Sequence, residues 1–169
     1  MVHRLRAKGY TAAGNFDEAR RETDLCWAAL PGDPFVPIEL VSMWDKAGRK
    51  KEATELFEKY LAVQQKLCET YPNYSGGHNA VAWLSACCRR NLESAQEHAL
   101  KAVALVPDNA GVLDTLAEVY FQRGDKEKAI VAQKKAVELE PKRAYFRKQL
   151  KRIEAGDPSA DRPSEDDDE

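Results

Sequence analysis

Small and apolar residues recur at helical spacing along almost the whole chain, in blocks separated by glycine turns and closed by prolines. This pattern predicts helices at about 2–13, 16–30, 35–47, 50–70, 77–89, 92–105, 111–123, 126–139 and 143–154. The blocks repeat. Gly14, Gly48 and Gly124 each stand five residues before an alanine (Ala19, Ala53, Ala129) and four after an aromatic ring (Tyr10, Trp44, Tyr120). Pro31 and Pro141 follow the first and last of these alanines by twelve residues. A degenerate copy lies between, with Ala82 and Trp83, then Ala95, Ala99, Ala102 and Pro107, and with Arg90 in the glycine position.

The chemistry of the repeat is that of a helical hairpin. Glycine adopts turn conformations that a β-carbon penalises, and proline stops the second helix. Small residues let the paired helices approach, while the ring fills the space around the contact. Each hairpin leaves an apolar face that a neighbour must cover, so the units stack. They run at about 1–33, 34–75, 76–109 and 110–141. The second is eight residues longer, and no breaker precedes Pro72, so the surplus reads as about two further turns of helix. Residues 71–77 form the clearest loop. The helix at 142–154 sets Tyr145, Phe146, Leu150 and Ile153 among basic residues, an amphipathic cap that covers the last hairpin and solvates its outer face. The array therefore occupies 1–156 and a polar tail 157–169.

These units resemble the tetratricopeptide repeat, a 34-residue pattern of W-x2-L-G-x2-Y, then A-x3-F, then P. The fourth places Leu113, Leu116, Ala117, Tyr120, Gly124, Ala129, Ala136 and Pro141 in the pattern and departs at Gln133. The second supplies Leu40, Val41, Trp44, Ala53 and Phe57. The first keeps Ala7, Tyr10, Ala19 and Pro31 but has Arg6 at an apolar position, and the third keeps its small residues and proline. The resemblance implies an all-α solenoid of four hairpins plus a C-terminal capping helix, with a concave groove lined by the first helix of each hairpin. Its groove positions fall on Arg4, Lys8, Ile38, Glu39, Ser42, Val81, Leu84, Asp114, Glu118 and Phe121. Ile38, Val81, Leu84 and Phe121 would anchor an apolar segment, and the charged residues would set its polarity and register. The carboxylate clamp by which tetratricopeptide co-chaperones hold chaperone tails is not implied. Its positions carry Arg4, Lys8, Glu39, Gly77 and Val81, or, one hairpin later, Ile38, Ser42, Val81, Gly111 and Thr115.

Charge adds an asymmetry to this picture. The net charge is −2, but seven acids and one arginine give residues 157–169 a charge of −6, leaving +4 on residues 1–156. Six cations and no acid lie in 142–152, yet the adjoining acidic tail screens them, so no nucleic-acid partner is expected. The tail itself has the composition of a disordered segment. Cys87 and Cys88 lie beside Arg89 and Arg90, which would lower a thiol pKa; the plainer reading is one buried and one partly exposed thiol. Cys26 and Cys68 read as packing residues. His3, His78 and His98 are scattered, so no metal site or cofactor is expected. Nucleotide-binding, esterase and zinc-protease motifs are missing, and no apolar run reaches the ~20 residues of a membrane span. The expected function is thus a non-catalytic scaffold or adaptor, cytoplasmic if Met1 is the true start, that binds a protein or peptide in its groove. The alternative is self-assembly through the first hairpin or a regulatory role, as the C-terminal part of a larger repeat protein.

Overall fold

The computed structural model describes residues 2–159, 162 and 163, which divide into two compact units, Met1–Thr70 and Tyr71–Glu169. Met1 and residues 160, 161 and 164–169 lie outside the described residues, and with them most of the expected disordered tail. Helix bounds fall within two residues of those expected.

In the first unit, α1 (Val2–Ala12) pairs with α2 (Phe16–Ala29), α3 (Phe35–Lys46) pairs with α4 (Lys50–Thr70), and α3 also packs on α1. Ala7, Ala19 and Ala53 are fully buried at the helix contacts, as their size requires. One polar stitch fastens the hairpins: the Trp44 indole donates to the Thr11 hydroxyl at 3.0 Å, which in turn donates to the Ala7 carbonyl at 2.8 Å. The surplus residues of the second repeat are helical, extending α4 to 21 residues. The extension has a packing role. Gln64 donates to the Gly32 carbonyl at 2.9 Å, and a β-carbon on Gly32 would stand 2.9 Å from Val63 Cγ1, so the added turns pack against the α2–α3 connection.

In the second unit, α5 (Ser75–Cys88) pairs with α6 (Leu92–Leu105) and α7 (Ala110–Gln122) with α8 (Lys126–Leu139). Helix α7 packs on both α5 and α6, and α9 (Ala144–Ala155) closes the stack against α8. Ala82, Ala95, Ala99, Ala117 and Ala129 are fully buried in one core with Leu116, Val119 and Ile153. Helix α9 buries Tyr145, Phe146, Gln149, Arg152 and Ile153, a stripe at helical spacing. Arg152 departs from the expectation for this cap: it turns inward instead of solvating the outer face.

The hairpin turns share one hydrogen-bond pattern. Gly14, Gly48 and Gly124 have φ of +77°, +79° and +85°, and the next backbone N–H reaches back to Tyr10, Trp44 or Tyr120. In the third hairpin the equivalent bonds run from Arg89 to Ala86 and from Arg90 to Ser85. Arg89, not Arg90, therefore occupies the glycine position, with φ +55°. Asn91 also has a positive φ of +51°, because this turn is one residue longer. Left-handed backbone is costly for a residue with a β-carbon, less so for asparagine, whose short polar side chain bonds locally.

Candidate functional site

The first unit brings its expected groove residues together on one face. Glu39 of α3 receives Arg4 at 3.5 Å and Lys8 at 3.3 Å, both from α1, and the Arg4 guanidinium lies 5.4 Å from the centre of the Phe35 ring. Ile38 is half-buried, while Ser42 and Phe35 are exposed. The surface is polar and open, with an aromatic edge.

The second unit treats its expected residues differently. The longer turn shifts α5 by one position, so Val81 aligns with Leu116 and Leu84 with Val119, both core residues of α7. Val81 and Leu84 are accordingly sealed in the packing and offer no anchor to a groove. The same alignment sets Asn79 opposite Asp114, and Trp83 opposite Glu118. Asn79 and Trp83 are the inner-face residues that spacing alone missed. Their signal was the left-handed turn, which is not legible in residue type.

Asp114, Glu118 and Phe121 are also buried. The Glu118 carboxylate, with no exposed side-chain surface, accepts hydrogen bonds from Arg152 at 2.7 and 3.2 Å, Gln149 at 3.0 Å and Gln122 at 2.8 Å. Tyr145 donates to Asp114 at 3.3 Å, and Arg152 stands 5.0 Å from the Phe121 ring centre. A buried carboxylate needs such a shell, because unpaired it would face several kcal/mol of desolvation. The described part of the acidic tail joins this face. The Pro158 carbonyl accepts from Arg89 at 2.7 Å and Gln122 at 3.1 Å, and Arg162 lies 3.7 Å from Glu118 and 5.9 Å from the Trp83 ring centre.

Residues 110–143, which span α7 and α8, match the family model of the tetratricopeptide repeat. Among solved structures, one described as a thermophilic tetratricopeptide-repeat protein of Thermus thermophilus, TTC0263, has a TM-score of 0.54 at 23% identity, with 90% of this chain and 79% of that one covered. MamA (residues 41 to its end) of Desulfovibrio magneticus RS-1 has a TM-score of 0.54 at 19% identity, covering 91% and 82%. Residues 110–143 thus carry a tetratricopeptide repeat, and the chain has the fold of tetratricopeptide-repeat solenoids. No curated protein sequence matches it.

Two further readings of the repeats are corrected by the side chains. His78 and His98 are not scattered: in the third repeat their Nδ1 atoms meet at 2.9 Å, and His78 Nε2 is 3.0 Å from the Pro72 carbonyl. Neutral rings satisfy this chain if His78 donates to Pro72 and accepts from His98. Partial burial, aided by the neighbouring His78, lowers the His98 pKa from 6.5. Cys87 and Cys88 are both buried, and burial pushes the Cys87 thiol well above its ordinary 9.0 despite the nearby Arg162 charge. Cys87 is therefore not poised as a thiolate nucleophile. Among the described residues, no helix is long and apolar enough to cross a membrane.

Proposed function

We propose that this repeat protein is a non-catalytic interaction module that docks a segment of a protein partner on the inner faces of its first helices. The observation that carries this reading is the face of α1 and α3. Arg4 and Lys8 converge there on Glu39 beside exposed Phe35 and Ser42 and half-buried Ile38. Lys8, the more exposed of the two cations, adds little to stability through its pair and can exchange Glu39 for a partner's carboxylate at small cost, while Arg4, its Nε buried against Glu39, holds the acid in place. The Phe35 ring offers an apolar contact beside them. In the second unit the inner-face positions are Asn79, Trp83, Asp114 and Glu118.

The test compares the wild-type chain with a Lys8→Glu, Ser42→Asp variant in capture from native extract, followed by calorimetric titration of each purified candidate. Circular dichroism checks that the variant keeps its helices. A candidate that binds wild type with 1:1 stoichiometry and loses at least tenfold affinity for the folded variant supports the reading. Equal affinity for both chains overturns it.

Self-assembly is a second reading, favoured by one observation: Val2 and Leu5 of α1 are 59% and 57% exposed. Stacking a further hairpin would cover them. A mass that rises with concentration, and falls in a Leu5→Glu variant, distinguishes it.

A further inference from the structure

After α9 the chain reverses. Gly156 turns with φ +84°, and the Asp157 carboxylate accepts from the Ser159 amide at 2.8 Å and hydroxyl at 2.6 Å, a local turn that redirects the tail. The redirected segment then makes contacts typical of a bound peptide. Its Pro158 carbonyl is gripped by two donors from successive first helices, Arg89 just past α5 and Gln122 at the end of α7. Gln122 is oriented by its second bond, to Glu118. Four residues on, the Arg162 guanidinium reaches the equivalent positions of the same two helices, with Glu118 3.7 Å away and the Trp83 ring centre at 5.9 Å. Its side chain is 21% exposed.

The sign of this contact is unexpected for a tail of net charge −6, since it is the tail's single cation that enters. The face it enters explains the choice. Trp83 presents a π-surface there, because the longer third turn gives Ser85 the place that Tyr10, Trp44 and Tyr120 hold elsewhere and leaves the indole on the inner face. Beside it stands the Glu118 carboxylate. Aromatic face and carboxylate together select a guanidinium, which stacks and pairs at once.

We propose that this face is a recognition site for an extended, arginine-bearing segment of a partner protein, and that Pro158 and Arg162 of the tail occupy it in cis as a competitor. This rests on reading the inner faces of the first helices as binding surfaces, and it names both the ligand chemistry and the control. The competitor is tethered by only five residues between Gly156 and Arg162, so its effective concentration lies in about the millimolar range. A partner must exceed that to enter, or the tail must first be drawn away.

The experiment uses the full chain, wild type and Arg162→Ala, with a fluorescein-labelled peptide of the sequence of residues 156–165 as probe. Fluorescence anisotropy reads binding in trans, and the Trp83 indole N–H resonance reports occupancy. The Arg162→Ala chain is expected to shift the Trp83 resonance, to bind the peptide at least tenfold more tightly than wild type, and to regain the wild-type resonance on saturation. A peptide with alanine at the Arg162 position should lose that binding, and added salt should weaken the arginine peptide. An unmoved Trp83 resonance would mean the segment does not occupy the face, which overturns the proposal. A shifted resonance with no peptide binding, or equal binding of the alanine peptide, overturns it too. None of these failures bears on the α1–α3 face, which the Lys8→Glu, Ser42→Asp comparison tests separately.

Discussion

Arg152→Met is the perturbation that most directly probes the inner core of the second unit. Methionine keeps much of the arginine's volume over the Phe121 ring but removes the charge that faces Glu118 from 2.7 Å. At an effective dielectric near 20, unit charges about 4 Å apart attract by about 4 kcal/mol, and this pair is closer. Much of that is offset in the wild type by the desolvation of both ions, so the pair as a whole contributes little net stability. Removing one ion leaves the desolvation of the other uncompensated, and the single substitution should cost about 3–5 kcal/mol. Gln149 and Gln122 still donate to the carboxylate, and Arg162 stands 3.7 Å away, which places the expectation toward the lower end. Arg152→Met with Glu118→Gln removes both charges but, because Gln149 and Gln122 bond different oxygens of the carboxylate, leaves an acceptor for only one of them, so it should recover part of the loss and not all of it. Urea unfolding followed by Trp83 fluorescence, with Trp27 and Trp44 replaced by phenylalanine, measures the cycle. A single-substitution loss below about 1 kcal/mol, or a double substitution no more stable than the sum of its parts, would refute the reasoning.

Three other outcomes are expected from particular contacts. Thr11→Val removes the acceptor of the buried Trp44 indole N–H and should cost about 1–3 kcal/mol, with a change in Trp44 emission; unaltered stability would show that the stitch is idle. Gly32→Ala combines a φ of +85° with a contact of 2.9 Å to Val63, so it should lose about 1–2 kcal/mol from the backbone alone and more from the clash. Pairing it with Val63→Ala should recover only the clash in a thermal melt. For His98 the folded pKa lies below the unfolded 6.5, so the unfolded chain binds more protons between the two values. Its contribution to stability is therefore complete above pH 6.5 and is lost as pH falls through the folded value. The Tm of the wild type should drop more between about pH 7.5 and 5.5 than that of His98→Gln, and parallel drops would contradict the lowered His98 pKa that burial and the neighbouring His78 impose.

Much of the architecture was legible because its causes are local. A helix depends on residues three and four apart, a turn on one glycine and a stop on one proline, so bounds, hairpins and the long α4 could be read from spacing. The face of α1 and α3 was legible for the same reason: its glycine turns hold Arg4, Lys8 and Glu39 in a shared register. What only the tertiary structure decided begins at Arg89, where a left-handed residue without glycine and one extra position in the turn shifted α5. That shift buried Val81 and Leu84 and brought Trp83 to the inner face. Glu118 likewise reads as a solvated groove acid until Arg152, 34 residues later, is seen to enclose it. The pairing of His78 with His98, twenty residues apart, belongs with these. In each case the deciding quantity is burial against a distant element, and the free energy of a charge or ring is set by what surrounds it, which sequence neighbours do not specify.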